Sequence, residues 1–302
     1  MKKMRLHIYI AMAVFLALFI LGSFVDLELN RALFEKDNGF GIAVAAISMN
    51  FGYAVIAFMG GIIIYHAHKL NKVTWQRICF LIGGLAYLGV AIHFDAGEFF
   101  GENGWYGVVP EWVGYFIAAP IMASASIGGY FVAKQANNPR LWILMVVGAF
   151  FIGLSLIIGT TVVKNIFHRP RYRLAVYEGY VGFYPWWERC KNYKDIMALS
   201  GLSKEEFKSF PSGHTSVCAL TMFFIVLYPF ISGKELKYQP VYFYLAMVYT
   251  LLVAFTRLIV GAHYLTDIAM GGLITLICLY IYYEIILHKP EIYQAPQVEE
   301  VK

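Results

Sequence analysis

The chain has 302 residues, of which 60% are hydrophobic and only 14% are charged, and its formal net charge is +5. Because an ordinary soluble domain carries roughly 25% charged residues, this composition excludes a soluble globular protein and indicates a membrane protein. The small net charge gives no sign of a nucleic-acid partner. The four cysteines show neither a disulfide framework nor the spacing of zinc ligands.

Eight apolar runs of about 20 residues predict membrane-spanning helices, because hydrocarbon offers no hydrogen-bond partner to backbone N–H and C=O groups. The predicted spans are 7–25, 42–65, 78–94, 113–133, 141–163, 214–232, 241–260 and 266–287. The third has the shortest apolar part, so bundles of six or seven spans are the alternatives. The first resembles a signal peptide in its basic flank, but its length and the absence of a small-residue cleavage site at Phe24-Val25-Asp26 favour a retained helix.

Lysine and arginine are concentrated in alternate short loops, a bias that sets the orientation of a membrane protein. They occur at the N-terminus and after the second, fourth and sixth spans: Lys2, Lys3, Arg5, Lys69, Lys72, Arg77, Lys134, Arg140, Lys234 and Lys237. The first two intervening loops are acidic: Asp26, Glu28, Glu35, Asp37, Asp95, Glu98, Glu102 and Glu111. This pattern predicts a multi-pass protein of the cell membrane with both termini in the cytoplasm. Three polar clusters that interrupt the apolar sequence then fall together on the extracytoplasmic face.

The first polar cluster follows the fifth span and is rich in cations: Lys164, Arg169, Arg171 and Arg173. The planar guanidinium of arginine pairs with two phosphate oxygens and lysine adds a point charge, so the cluster suits a phosphate group. A basic helix end that meets anionic lipid head groups is the alternative. In the long stretch that follows, Ser203 and Glu206 have the spacing of a capping box at a helix start.

The second polar cluster, Pro211-Ser212-Gly213-His214-Thr215, lies where a loop meets the sixth span. A helix start offers unpaired N–H groups and the positive end of the helix dipole, which together bind anions. Gly213 lets the backbone approach an anion closely, and Ser212 either caps the helix or donates to a phosphate oxygen. His214 is placed to protonate a leaving oxygen. A plain serine-capped helix explains Ser212 but not the histidine.

The third polar cluster holds Arg257, His263 and Asp267 and precedes or begins the eighth span. His263 and Asp267 are four residues apart, so on a helix they share one face. A carboxylate in that position accepts the proton of one imidazole nitrogen and leaves the other nitrogen as a nucleophile. Taken alone, the pair also fits a structural hydrogen bond, and Arg257 fits an interfacial anchor.

In combination, the clusters resemble the signature of the type 2 phosphatidic acid phosphatase family. That signature reads Lys-x6-Arg-Pro, then Pro-Ser-Gly-His, then Ser-Arg-x5-His-x3-Asp. The matching residues are Lys164 and Arg171, then Pro211 to His214, then Arg257, His263 and Asp267.

Two positions depart from this signature. Tyr172 replaces the proline of the first motif, and an arginine–proline pair occurs instead at Arg169-Pro170. Arg169 and Arg171 therefore compete for one role, and the spacing favours Arg171. Thr256 replaces the serine before Arg257, which keeps a hydroxyl at that position.

The resemblance implies an all-α, polytopic transmembrane bundle with a six-helix phosphatase core at 78–289, preceded by two additional helices in 1–77 and followed by a polar tail at 290–302. It also implies a metal-independent, cofactor-free reaction in which His263 attacks phosphorus, Asp267 stabilises the charge on the ring and His214 protonates the leaving oxygen. The residues implied to hold the phosphate are Lys164, Arg171, Ser212, Gly213 and Arg257.

The membrane setting favours a lipid phosphate or pyrophosphate as the substrate over a soluble sugar phosphate. A prenyl carrier pyrophosphate, phosphatidylglycerol phosphate and phosphatidic acid are equal candidates. A lipid phosphotransferase, which passes the phosphoryl group to another lipid, is the alternative enzyme. A transporter is the alternative from another class, although these spans hold almost no charge away from their ends. The oligomeric state is left open.

Overall fold

The computed structural model describes residues 4–70, 72–100, 111–231 and 236–288. Regular structure in these ranges is helical, and no strand occurs within them. The α-helices are α1 (Met4–Leu33), α2 (Gly39–Ser48), α3 (Asn50–Lys69), α4 (Trp75–Phe100), α5 (Glu111–Ala136), α6 (Leu141–Leu156), α7 (Val163–Phe167), α8 (Tyr193–Ser200), α9 (Gly213–Ala219), α10 (Phe224–Ile231), α11 (Gln239–Ile259) and α12 (Leu265–Leu287). The predicted all-α bundle is confirmed, whereas the predicted tail at 290–302 lies outside the described residues.

Eight helical segments in the described part of the chain are long and apolar enough to cross a membrane. They are Met4–Leu33, Gly39–Lys69, Trp75–Gly97, Trp112–Ala136, Leu141–Phe167, Gly213–Phe230, Gln239–Ile259 and Leu265–Leu287. Each overlaps one of the eight predicted spans, so the alternatives with six or seven spans are wrong. The short third span is a full helix because its helical structure continues through polar residues on both sides of the apolar part.

Three of these spans are not regular α-helices throughout. The second is divided at Met49 into α2 and α3, and the sixth contains a 3₁₀ turn, Leu220–Phe223, between α9 and α10. The fifth contains a π-helical turn, Ile157–Val162, between α6 and α7. Turns of the π type are rare and frequently occur at functional sites. Here the π turn lies directly before Lys164, the first residue of the predicted phosphate-binding set.

The spans pack as two connected groups. In the first, α3 lies against α4 and α5, and a Cβ at Gly61 would fall only 1.7 Å from the Ser126 carbonyl oxygen, so only glycine permits this close approach. In the second, α12 packs against α1, α6 and α9. Helices α1 and α12 are antiparallel, because Arg5 pairs with Glu284 at 2.6 Å near one end of the bundle and Asp26 contacts Thr266 near the other.

The segment between α7 and α9 folds over one end of the bundle around a small core of Leu174, Cys190 and Phe207. The predicted capping box is wrong in part. Ser203 does cap a short 3₁₀ turn, but Glu206 turns away to pair with Arg173, since the guanidinium is a stronger partner than a backbone N–H. This ion pair holds the segment close to the cations of the first cluster.

Candidate active site

A cavity of about 430 Å³ lies among the three polar clusters. Its polar wall is formed by Thr160, Thr161, Lys164, Arg171, Glu205, Lys208, Gly213, His214 and His263. Its apolar wall is formed by Met49, Tyr53, Phe94, Gly97, Leu156, Ile157 and Val217. The fold therefore brings residues from all three clusters to one surface, with two histidines and several cations facing a common space.

His263 lies in the tight turn between α11 and α12 and is only 2% exposed. Its Nδ1 atom is 2.7 Å from the Ser209 carbonyl oxygen. Because a carbonyl oxygen only accepts hydrogen bonds, this contact places the proton on Nδ1 and leaves the lone pair on Nε2. Burial lowers the pKa of His263 to about 3, so the ring is neutral near pH 7. The arrangement suits a nitrogen nucleophile.

Asp267 lies in the first turn of α12, where both of its carboxylate oxygens accept hydrogen bonds. Oδ2 accepts the N–H of Tyr264 at 2.7 Å and the Ser209 hydroxyl at 2.5 Å, and Oδ1 accepts Arg169 Nη1 at 2.6 Å. Oδ2 is 3.7 Å from His263 Nδ1. The expected direct hydrogen bond between Asp267 and His263 is therefore not formed, because the Ser209 carbonyl is closer to that nitrogen. Asp267 acts on the ring as a nearby negative charge.

His214 lies in the first turn of α9 and borders the cavity. Its ring is 6.4 Å from the His263 ring, measured between centroids. Its Nε2 atom is buried and has no hydrogen-bond partner within the described residues. Buried polar atoms are nearly always hydrogen-bonded, so an unpartnered nitrogen at a cavity wall is available to a ligand.

Lys164 and Gly213 meet at the cavity wall. The Lys164 Nζ atom lies 3.4 Å from the position that a Cβ would take at Gly213. Ser212 is fully buried and caps α9, its side chain accepting the N–H of Thr215 at 3.3 Å, while its own N–H donates to the Asp267 carbonyl at 2.9 Å. Of the two roles open to Ser212, the structure shows capping. Its contact with a phosphate oxygen stays a prediction.

The two arginines of the first cluster point to different places. Arg171 lines the cavity, and its Nη1 atom is 3.7 Å from Glu206 Oε1. Arg169 is buried behind Asp267 and is paired with Asp26 at 2.9 Å and Asp267 at 2.6 Å. Although burial alone lowers the pKa of Arg169, these two carboxylates raise it above the ordinary value. The structure thus places Arg171, and not Arg169, at the wall of the cavity.

Arg257 is buried at the end of α11 and is not among the residues of the cavity wall. Its carbonyl oxygen accepts the N–H groups of Ala262 at 3.0 Å and His263 at 3.3 Å, so it shapes the turn that carries His263. A phosphate contact from its guanidinium stays a prediction. The hydroxyl of Thr256 donates to the Val253 carbonyl at 2.7 Å, a structural use within α11.

Sequence reasoning missed Ser209 and Asp26. Ser209 contacts both His263 and Asp267 and has no distinctive sequence context. Asp26 has one, because it lies within α1, and ionisable residues in membrane spans are usually functional. The apolar run ends just before Asp26, so the sequence assigns this carboxylate to the loop that follows.

We expect the free protein to hold His263 as the neutral Nδ1–H tautomer at about pH 6, where an ordinary histidine is substantially protonated. The measurement is ¹⁵N NMR of histidine-labelled protein in detergent micelles, with the signal assigned by its loss in His263→Ala. Because unfolding restores a pKa of about 6.5, stability should also fall as the pH decreases from about 6.5 towards about 3. Protons on both ring nitrogens at about pH 6 would contradict the assignment.

Comparison with known proteins agrees with this geometry. A model of the PAP2 superfamily matches residues 140–290, which is half of the 302-residue chain and contains all three clusters. Comparisons with curated proteins and with solved structures gave no match. The matched segment covers the last four spans, so the predicted division at 77 and 78 stays a prediction. The chain belongs to the PAP2 superfamily, as its motifs indicated, and with its eight apolar helices it is a multi-pass membrane phosphatase of that superfamily.

Proposed function

We propose that the protein hydrolyses a lipid phosphate or pyrophosphate through a phosphohistidine formed on His263. The observation that carries this proposal is an apolar groove of about 390 Å³ between α3, α4 and α6 that continues from the cationic cavity. The groove shares Phe94, Leu156 and Ile157 with the cavity wall. A soluble sugar phosphate would leave this apolar surface unused, whereas a lipid phosphate places its head group in the cavity and a tail in the groove.

The first step is the attack of His263 Nε2 on phosphorus. The new N–P bond forms as the bond between phosphorus and the lipid oxygen breaks, and His214 gives its proton to that oxygen. The developing positive charge on the His263 ring is stabilised by Asp267, which lies 3.7 Å away. Lys164 and Arg171 hold the phosphoryl oxygens while their charge is redistributed.

The second step releases inorganic phosphate. Water attacks phosphorus, the N–P bond breaks, and the neutral His214 takes the proton that the water loses. His263 returns to its neutral state and His214 to its protonated state, so the cycle closes without a net change in the protein. In the proposed reaction the cations perform the charge neutralisation that a metal ion performs in other phosphatases.

Phosphate release from a panel of lipids tests the function. The purified protein is incubated with a prenyl pyrophosphate, phosphatidylglycerol phosphate and phosphatidic acid in turn, with a soluble sugar phosphate for comparison. Release from at least one lipid, inhibited by orthovanadate and unaffected by EDTA, is expected. Activity lost on adding EDTA would contradict the metal-free reaction. Transfer of labelled phosphate to an added lipid alcohol in place of water would instead identify a phosphotransferase.

The orientation in the membrane is part of the proposal. We place both termini in the cytoplasm and the cavity on the extracytoplasmic face of the cell membrane. The antiparallel pair of α1 and α12 supports placing the termini and the cavity on opposite faces, because the Arg5–Glu284 pair and the site-side contact of Asp26 with Thr266 lie at opposite ends. The lysine and arginine bias of the short loops then assigns the termini to the cytoplasm. Labelling of intact cells with an impermeant probe, after placing a cysteine at the exposed Leu199, should mark the protein.

A bulky residue in the groove is expected to weaken the binding of long-chain substrates selectively. Gly153 lines the groove and has open space around its Cβ position, so the side chain of Gly153→Trp should extend into the groove. Displacing two methylene groups costs about 1.6 kcal/mol, or roughly tenfold in KM. The measurement compares KM for long-chain substrates and for analogues with tails too short to reach the groove.

The matched control is Gly89→Trp, because Gly89 also has open space at Cβ but lies outside the groove wall. It should leave KM for both substrates within about twofold. An equal rise in KM for long and short tails in Gly153→Trp would show that the groove does not hold the tail.

A further inference from the structure

A buried carboxylate of the first helix contacts the start of α12 beside the proposed catalytic residues. Asp26 of α1 is 4% exposed, and it accepts the N–H of Thr266 at 2.9 Å and Arg169 Nη2 at 2.9 Å. It also accepts the Thr266 hydroxyl. Thr266 and Asp267 are neighbours in the first turn of α12, so Asp26 holds one of the unpaired N–H groups at the start of the helix that carries Asp267.

Arg169 connects this carboxylate to the catalytic one. Its Nη2 atom binds Asp26, its Nη1 atom binds Asp267 at 2.6 Å, and its Nε atom donates to the Tyr184 carbonyl at 2.8 Å. The guanidinium also stacks on the Tyr264 ring at 4.0 Å. With these partners, Arg169 is fixed in one orientation behind the cavity, and its one positive charge is shared between two carboxylates.

Two further contacts show that α1 is packed closely at this point. A Cβ at Gly22 would lie 2.8 Å from the Thr266 nitrogen, so only glycine allows this approach. The Asn30 amide donates to the His263 carbonyl at 3.0 Å. Helix α1 therefore contacts the backbone on both sides of the turn between His263 and Asp267, although it lies outside the segment that matches the superfamily.

We propose that Asp26 is a positioning residue for the reaction, which holds Asp267 beside His263 through Arg169. Without the charge of Asp26, Arg169 would neutralise Asp267 more completely, and less negative charge would remain to stabilise the ring of His263 as it becomes positive. The first helix is then part of the catalytic unit. This inference rests on the proposed phosphohistidine reaction.

The test compares Asp26→Asn with wild type as the full chain in detergent micelles. Asparagine keeps the shape and an acceptor for the Thr266 N–H but removes the charge. Loss of a residue that orients a catalytic group typically costs about 10–100-fold, so kcat should fall by about that factor while KM stays within about twofold. The matched control is Glu28→Gln in the same helix, where an exposed carboxylate pairs with Arg31 at 2.9 Å, and its kcat should not change.

A second variant separates positioning from simple stability. In Asp26→Asn/Arg169→Gln the buried cation is removed together with its partner, so kcat should be no lower than in Arg169→Gln alone. Additive losses of kcat, with matching losses of thermal stability, would show a merely structural role and overturn the proposal. An unchanged kcat in folded Asp26→Asn would overturn it equally.

The NMR signal of His263 Nδ1 provides a readout that needs no substrate. It should shift in Asp26→Asn and stay in place in Glu28→Gln. If the wild type releases no phosphate from any lipid in the panel but the signal shifts, the proposed function fails while the positioning by Asp26 stands. If phosphate is released but neither kcat nor the signal responds to Asp26→Asn, the positioning fails alone.

Discussion

Replacing His263 with alanine is expected to abolish phosphate release from the lipid substrate. The cavity would keep Lys164 and Arg171, the cations proposed to hold the phosphate, but would lose the nitrogen proposed to form the N–P bond. In a hydrolase with a covalent intermediate, loss of the nucleophile costs about 10⁶ in kcat, whereas loss of one donor to the transition state costs about 10²–10³. The measurement is the initial rate of phosphate release by purified protein.

The control for this result is His288→Ala, because His288 is exposed and follows the far end of α12. It should retain full activity. Loss of even one donor to the transition state leaves only about a hundredth to a thousandth of the rate. If His263→Ala keeps more than about a tenth of the wild-type rate, His263 is therefore not the nucleophile.

Replacing His214 with alanine is expected to reduce the rate more for a substrate with a strongly basic leaving group than for one with a weakly basic leaving group. The buried Nε2 atom of His214 borders the cavity without a partner among the described residues, which suits a proton donor to the leaving oxygen. General acid catalysis contributes about 10²–10⁴-fold when the leaving group is an alkoxide. A nitrophenolate needs no proton to leave. The loss of the phosphorylation rate with p-nitrophenyl phosphate should therefore be at least about tenfold smaller than the loss with the lipid substrate.

The comparison requires the burst of nitrophenolate, because the burst reports formation of the phosphoenzyme, whereas the steady state also includes its hydrolysis. His214→Ala should therefore keep a fast burst followed by slow turnover. Equal losses of the burst rate with p-nitrophenyl phosphate and of the phosphorylation rate with the lipid substrate would show that His214 does not protonate the leaving oxygen.

The eight spans could be predicted because hydrocarbon imposes one requirement on every segment, an apolar helix of about 20 residues. The breaks within them could not. Neither the π turn at Ile157–Val162 nor the division at Met49 contains a proline, and the one glycine of the π turn, Gly159, does not by itself predict a wide turn.

The residues of the candidate site could be predicted where their chemistry is local. Ser212, Gly213 and His214 follow one another at a helix start, and their spacing alone predicts an anion site. The partner of His263 could not be predicted in the same way. The i, i+4 spacing favours Asp267, but the nearest acceptor to Nδ1 is the backbone carbonyl of Ser209, which another part of the chain supplies.

The choice between Arg169 and Arg171 shows where spacing is not sufficient. Both arginines are cations of the same cluster, and either could reach a phosphate group from the sequence alone. Both side chains are buried, and their surroundings decide between them. Arg169 is paired with Asp26 and Asp267, two carboxylates that are distant in the sequence, whereas Arg171 lines the cavity. The contact with Asp26 of the first helix is therefore needed to tell which of the two arginines of the superfamily segment faces the cavity.

Mapping of phosphate on the trapped protein tests the central claim most directly. His214→Ala is mixed with ³²P-labelled p-nitrophenyl phosphate, quenched in alkali, which preserves phosphohistidine, and digested into peptides. Because this variant lacks the group that activates water, the phosphoenzyme should accumulate, with one labelled site at His263 and none in His214→Ala/His263→Ala. A label on any other residue, or turnover of the substrate with no labelled protein at any time point, would contradict the phosphohistidine reaction.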